Sequence, residues 1–313
     1  MLWRKTFFTV YALNALRFFI LKTKTFYDIM YALKDGKRRM VSLNKQNLHT
    51  HTLYVDGKNS PEEMILEAIS REFDSLGFSE HTFLRYSTYP NQLTSEKAEL
   101  YRNEIRFLKQ KYRGKLDVFL GLEYDFYSDA DTEGYDYLIG SVHYLECESG
   151  VKTFDKNLEH TREFIKDNFN GNAFDFAKKY YETVARIPEK HAFDIIGHFD
   201  LVTKNNETGR FIDTSKKEYL DLGYETIHAL RGKIPFFEVN TGAIARAYRT
   251  APYPQLEFLK EFKRLGFGAV ISSDCHDKTF LDCHFDGARE FLRAAGFESR
   301  WILTDFGFRE VRL

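Results

Sequence analysis

From Met40 onward, short apolar runs alternate with longer amphipathic stretches, and no other feature constrains the fold of this chain as strongly. The runs are Met40–Leu48, Leu76–Ser79, Leu116–Tyr124, Tyr135–Val142, Phe193–Gly197, Pro235–Val239, Gly268–Ser272 and Trp301–Thr304. Each is four to nine residues long and bounded by Gly, Pro, Asp or Asn, which suits buried strands. The stretches between them predict helices. Ser60-Pro61-Glu62-Glu63 is a capping box with Pro at the first helical position, and Met64, Ile65, Ala68 and Ile69 follow at helical spacing. Thr94 is placed to cap a helix running to about Tyr112, with Leu100, Ile105 and Leu108 on its inner side. Further helices are expected over roughly 173–187, 214–231, 254–265 and 286–295, the last stopped by Gly296. Strand and helix in turn over about 270 residues mean parallel strands joined by crossovers. Size and count suit a β/α barrel, with an open doubly wound sheet as the alternative. No G-x-G-x-x-G or Walker sequence favours a nucleotide fold.

Composition narrows the class of function. The 45 basic and 46 acidic residues nearly cancel, so no global cationic field draws the chain to nucleic acid. The balance is uneven, however. Residues 1–40 carry a net charge of +7 and the remainder a net of −8. The longest apolar run, Phe7 to Leu21, is interrupted by Arg17 and falls short of the roughly 18 to 20 residues of a spanning helix. Residues 1–40 are therefore set apart as a basic, apolar extension, and 41–313 as the functional domain. Three readings of the extension stand open: a membrane-surface segment, an upstream extension of the reading frame, or a helix packed on the domain. Membrane contact is expected through these residues alone. Cys147, Cys275 and Cys283 are too few and too odd for a disulfide framework, so a reducing, cytoplasmic setting is expected.

The histidines carry the chemistry. Six of ten fall at or just past the end of a predicted strand: His49 and His51 in Leu48-His49-Thr50-His51, then His81, His143, His198 and His276. Glu123 and Glu238 end two further strands. In parallel β/α folds those C-terminal ends converge on one face. His-x-His puts two imidazoles on the same side of an extended strand, and Asp274-Cys275-His276 does the same with a carboxylate and an imidazole. Imidazole and carboxylate together suit Zn, Mn or Fe rather than Ca or Mg. A lone strand-end histidine is more often structural, but imidazoles at five separate strand ends exceed the need of one tetrahedral metal. Asp56 is a weaker candidate, since Asp-Gly is also a plain turn. His160, His191, His228 and His284 lie on helices or loops and are expected to be ordinary surface residues. Cys275, between two candidate ligands, is expected in the core. No Gly-x-Ser-x-Gly elbow points to a serine nucleophile. Arg246, beyond the strand ending at Glu238, is placed to clamp a phosphate, and Arg210 is the second candidate.

The ordered set His-x-His, Glu-His, Gly-Leu-Glu, Gly-Ser-Val-His, Gly-His-Phe-Asp and Ser-Asp-Cys-His resembles the polymerase and histidinol phosphatase (PHP) superfamily. Gly-Ser-Val-His-Tyr-Leu, Gly-His-Phe-Asp-Leu and Glu-Val-Asn-Thr-Gly-Ala-Ile look most like its histidinol-phosphate phosphatases. The resemblance runs from about Asn47 to Asp305. It implies a distorted seven-stranded β/α barrel with a trinuclear metal site at the C-terminal ends of the strands. Carried over motif by motif, one metal falls to His49, His51, Glu123 and Asp274, a second to Asp56, His81 and His276, and a third to His143, His198 and the other oxygen of Glu123. Gly57 departs from the family, many members of which have histidine there. Two or three divalent transition metals are implied, with a metal-bridging hydroxide held by Glu123 and Asp274 attacking phosphorus. The expected activity is hydrolysis of L-histidinol phosphate, a small phosphomonoester, in histidine biosynthesis. A nucleotide phosphoesterase or nuclease of the same family, and a non-catalytic metal-binding module, are the alternatives.

Overall fold

The computed structural model describes residues 44–313 of the chain. The expectations on residues 1–40, and the Met40–Leu43 part of the first run, lie outside the described residues.

Seven strands form one parallel sheet in the order β1 (Gln46–Asn47), β2 (Ser75–His81), β3 (Asp117–Asp125), β4 (Tyr137–Ser141), β7 (Ile195–Ile196), β8 (Phe236–Asn240) and β9 (Gly268–Ser272). A short antiparallel hairpin, β5 (Tyr144–Cys147) with β6 (Gly150–Thr153), is inserted after β4. The sheet curls until its edges meet. Thr50, past β1, bridges Cys275, past β9, in parallel. There the His51 N–H donates to the Cys275 carbonyl at 2.8 Å, and the Cys275 N–H donates to the His49 carbonyl at 3.0 Å. The result is the expected (β/α)7 barrel, closed at the C-terminal ends of its strands rather than along their length.

The helices arise where capping and periodicity place them. Ser60 accepts from the Glu63 N–H and Glu63 accepts from the Ser60 N–H, completing the capping box of α1 (Pro61–Ser70). Thr94 caps α2 (Ser95–Lys111), whose buried face is Tyr101, Ile105 and Leu108. Leu100 is exposed, because the neighbouring Tyr101 takes the inward position and donates to the Gly121 carbonyl at 3.0 Å. An unexpected helix, α3 (Leu158–Phe169), starts at Asn157, whose side chain accepts from the His160 N–H. The remaining long helices are α4 (Ala173–Ala185), α5 (Lys217–Leu230), α6 (Leu256–Arg264) and α7 (Phe285–Ala294).

The eighth apolar run is not a barrel strand. It forms β10 (Ser299–Thr304), paired antiparallel with β11 (Gly307–Arg312). This hairpin covers the N-terminal mouth of the barrel. Leu303, Trp301 and Phe308 pack with Leu48, Phe236 and Val270, and the Phe236 ring lies 4.3 Å from that of Phe308. The Gln46 side chain pairs with Leu303 like a strand, donating to its carbonyl and accepting from its N–H, each at 2.8 Å. Further up the barrel, the Tyr137 ring fills the axis. Gly121 must lack a side chain there, since a Cβ would stand 2.2 Å from that ring.

Candidate metal centre

Six of the seven barrel strands deliver candidate ligands, at or just past their C-terminal ends, to one face. His49 and His51 follow β1, His81 ends β2, Glu123 lies near the end of β3, His143 follows β4, His198 follows β7, and Asp274 and His276 follow β9. Asp56 arrives from the loop after β1. All nine candidate ligands come together in four overlapping groups: His51, Asp56, His81 and His276; His49, His51 and Glu123; His49, His198 and Asp274; and His81, Glu123 and His143. Within each group the donor atoms lie within 4.8 Å of one another.

Glu123 sits at the middle. Its Oε2 faces His81 Nδ1 at 2.7 Å, His49 Nε2 at 3.2 Å and His51 Nε2 at 3.5 Å. Its Oε1 faces His198 Nε2 at 2.8 Å and His143 Nε2 at 3.4 Å. Asp274 Oδ1 stands 3.3 Å from His51 Nε2 and 3.7 Å from His49 Nε2. Asp56 Oδ2 stands 3.3 Å from His276 Nε2 and 3.7 Å from His81 Nε2. Gly57 follows it with no room for a side chain, since a Cβ would meet the His51 carbonyl oxygen at 2.3 Å. Asp274 holds a left-handed backbone, φ 45°, which points to a conformation imposed by its surroundings.

The donors fit divalent cations. His49 Nε2, both ring nitrogens of His51 and Glu123 Oε2 are buried and make no well-aligned hydrogen bond among the described residues, although polar neighbours crowd most of them at 2.7–3.5 Å. Buried polar atoms are rarely left so, because each costs about 1–3 kcal/mol. Burial, with the His276 and His81 rings beside it, pushes the His51 imidazole down to about 3, so it stays neutral and keeps the lone pair of one ring nitrogen available. Burial would raise the Glu123 carboxyl, but His81, His49 and His143 hold it well below the usual carboxylate range. Burial likewise opposes charge on His81, yet Glu123 and Asp56 push it up to about 10. Without a cation, protons take part of the charge that this cluster demands, so metal binding here releases protons.

A second ring of residues orients the first. Glu238 accepts from His49 Nδ1 at 2.9 Å, which turns Nε2 toward Glu123 and Asp274. It also accepts from the His198 N–H at 2.6 Å and the Ser272 hydroxyl at 2.5 Å. Asp125 accepts from the His143 N–H at 2.7 Å and from the Tyr127 N–H at 2.9 Å. Sequence reading noticed Glu238 as a strand end but gave it no role, and it missed Asp125. The alternation along β3 holds the signal for Asp125, two residues past Glu123 and hence on the same side of the strand.

A cleft of about 270 Å³ opens over the cluster, walled in part by Tyr89, Tyr144 and Tyr248. Arg246 lines it. Its Nη2 donates to Asp274 Oδ2 and its Nη1 to the Asp274 carbonyl, both at 2.8 Å. Arg210 does not line this cleft. It is exposed and caps the short turn of helix Asn206–Gly209 with a left-handed backbone, φ 49°. The second basic residue on the wall is Lys204, which sequence reading passed over; it pairs with Asp155 at 3.1 Å. Burial would raise Asp155, but Lys204 and then His143 lower it below the ordinary range. Cys275 is buried, as expected. Of the four histidines left aside, His228 is exposed and pairs with Glu261, and His284 is exposed at the start of α7. His160 and His191 are half-buried, His191 bonding the Tyr124 hydroxyl at 3.2 Å.

This fold and this cluster define a metal-dependent β/α-barrel protein. The PHP domain family matches residues 47–242, and the chain belongs to that family. Among curated proteins it is similar to a "Probable histidinol-phosphatase" of Schizosaccharomyces pombe, 26% identical, with 80% of this chain and 87% of that protein covered. It is similar also to the histidinol-phosphatase of Bacillus subtilis, 27% identical, with 75% and 94% covered. Among solved structures it resembles histidinol phosphate phosphatase from Lactococcus lactis, complexed with zinc, L-histidinol and phosphate. That likeness has a TM-score of 0.66 at 21% identity and covers 86% of this chain and all of the other.

Proposed function

We propose that the protein is a metal-dependent phosphatase that hydrolyses L-histidinol phosphate to L-histidinol and phosphate. The observation that carries this reading is the placing of Glu123, one oxygen facing His49, His51 and His81 and the other facing His143 and His198. A single carboxylate so placed suits two or three metals, and imidazole with carboxylate favours zinc, manganese or iron. The curated relatives named as histidinol-phosphatases, matched over most of their length, support the choice of substrate.

His49, His51, Glu123 and Asp274 would hold one metal, Asp56, His81 and His276 a second, and His143 and His198 a third with Glu123. Divalent metals held there would supply charge to neutralise the phosphate dianion and would lower the pKa of a water toward about 7, making hydroxide available near neutral pH. The chain's own residues set the geometry. Glu238 fixes the His49 tautomer, and Asp274 steadies Arg246 on the wall of the cleft. A planar guanidinium matches two phosphoryl oxygens. The tyrosine walls keep the cleft to the scale of a small phosphomonoester.

The test is a phosphate-release panel on the metal-loaded protein: L-histidinol phosphate, mononucleotides, sugar phosphates and a single-stranded oligonucleotide. L-Histidinol phosphate should be turned over best, with activity lost on chelation and restored by zinc or manganese. Preference for the oligonucleotide would replace this reading with a nuclease.

A further inference from the structure

Hydrolysis at the metal cluster leaves one feature of the cleft unexplained, the ion pair on its wall. Asp155, in the loop after β6, meets Lys204 at 3.1 Å, with side chains only 14% and 15% exposed. Thr153 donates its hydroxyl to the other carboxylate oxygen at 3.0 Å, and the Lys204 ammonium stands 5.1 Å over the Tyr248 ring. Asp155, Lys204, Thr153 and Tyr248 all line the cleft. A pair this buried adds little stability, because desolvating both charges offsets their attraction. Its place on the wall of the cleft that His143, His198 and His276 also line makes it a candidate for recognition.

Four aspartates line the cleft: Asp56, Asp125, Asp155 and Asp274. Asp56 and Asp274 face the ligand imidazoles, and Asp274 is also forked by Arg246. Asp125 is committed to the backbone of His143 and Tyr127. Asp155 alone among them has as its cationic partner a flexible lysine that also faces the cleft. A phosphate entering beside it attracts the Lys204 ammonium. A substrate with phosphate alone would thus strip Asp155 of its cation and leave a buried carboxylate unpaired, a strong penalty. A substrate that brings its own cation close to the phosphate removes that penalty. We infer that Asp155 is a specificity-determining residue that receives the protonated primary amine of the substrate while Lys204 turns to the phosphate, one internal ion pair being exchanged for two with the ligand. This rests on the phosphatase reading, whose substrate carries an amine on the carbon next to the one bearing the phosphate.

The experiment compares L-histidinol phosphate with 3-(imidazol-4-yl)propyl phosphate, the same molecule without its amine, on the metal-loaded full chain. The parent should favour the amine substrate by about thirtyfold or more in kcat/KM, the scale of a desolvated charge pair. In Asp155→Asn that ratio should collapse to within about threefold, chiefly through KM, with metal content unchanged. Lys204→Met should lower both substrates. An unchanged ratio in Asp155→Asn, or an equal fall for both substrates, would overturn the inference and leave Asp155 as a prop for Lys204. A second readout needs no variant: L-histidinol should inhibit the parent at least about tenfold more tightly than 3-(imidazol-4-yl)propanol. Equal inhibition overturns the inference by itself, while the phosphatase reading survives if histidinol phosphate is still hydrolysed. If neither phosphate is hydrolysed, that reading fails and the inference falls with it.

Discussion

The two mouths of the barrel are built from the same strands and treat polar atoms in opposite ways. At the N-terminal mouth, Leu303, Trp301, Phe236 and Phe308 form an apolar plug, and the polar Gln46 is paired on both its amide nitrogen and its oxygen. At the C-terminal mouth, ring nitrogens of His49 and His51 and an oxygen of Glu123 are buried with no well-aligned hydrogen bond among the described residues. β8 shows the contrast within five residues, from Phe236 in the plug to Glu238 behind the ligands. One end lowers the free energy of the fold by burying apolar surface. The other raises it with buried donor atoms suited to cations, which separates the residues that hold the protein together from the candidate site.

Substitutions can break that division. The largest loss of activity is expected from Glu123→Gln, which keeps size but removes the charge facing both imidazole sets; turnover should fall at least about a hundredfold. Elemental analysis should show the metal content falling with it, and full activity with no bound transition metal would sink the metal reading. Arg246→Ala should lower kcat/KM by about ten- to hundredfold at constant metal content, and Arg246→Lys should recover only part, since a point charge cannot copy the fork. A change under about twofold would move the phosphate clamp elsewhere, Lys204 being next. Glu238→Gln acts one step back. It should weaken metal affinity by about tenfold or more, seen in a metal titration, while activity returns at saturating metal. Leu303→Ala sharpens the comparison from the other mouth. It should cost about 2–5 kcal/mol in denaturant unfolding, while kcat of the folded, metal-loaded protein stays within about twofold. Loss of turnover at unchanged stability would show that the plug shapes the site.

Much of this division is legible in the residues, for identifiable reasons. Strand-end histidines stand out because an imidazole after Asn-Leu or Ile-Gly interrupts an apolar run, and parallel topology then dictates where it goes. Ser60-Pro61-Glu62-Glu63 is readable because capping is local. What depends on a partner distant in sequence is not readable. Trp301–Thr304 has the pattern of a barrel strand, and only its antiparallel pairing with Gly307–Arg312 decides otherwise. Leu100 and Tyr101 compete for one inward position, and the bond from the Tyr101 hydroxyl to the Gly121 carbonyl settles it. Glu238 reads like Glu123, a carboxylate near a strand end. Its role as an orienting acceptor comes from the His49 ring across the barrel. Arg210 and Lys204 both follow His198, and the loop turns only the nearer one into the cleft.

The seam between β1 and β9 carries a mechanical consequence. The barrel is closed there by the short contact of Thr50 with Cys275, residues more than two hundred positions apart. The two candidate motifs flank it, His49 and His51 on one edge, Asp274 and His276 on the other. A cation shared by His51 and Asp274, whose donor atoms stand 3.3 Å apart, would act as a rivet through that joint. Like any link between distant positions, it takes away chain entropy from every state in which the joint is open. The amides of His51 and Cys275 should then exchange their hydrogens far more slowly once metal is bound, making the seam a local gauge of occupancy that needs no substrate.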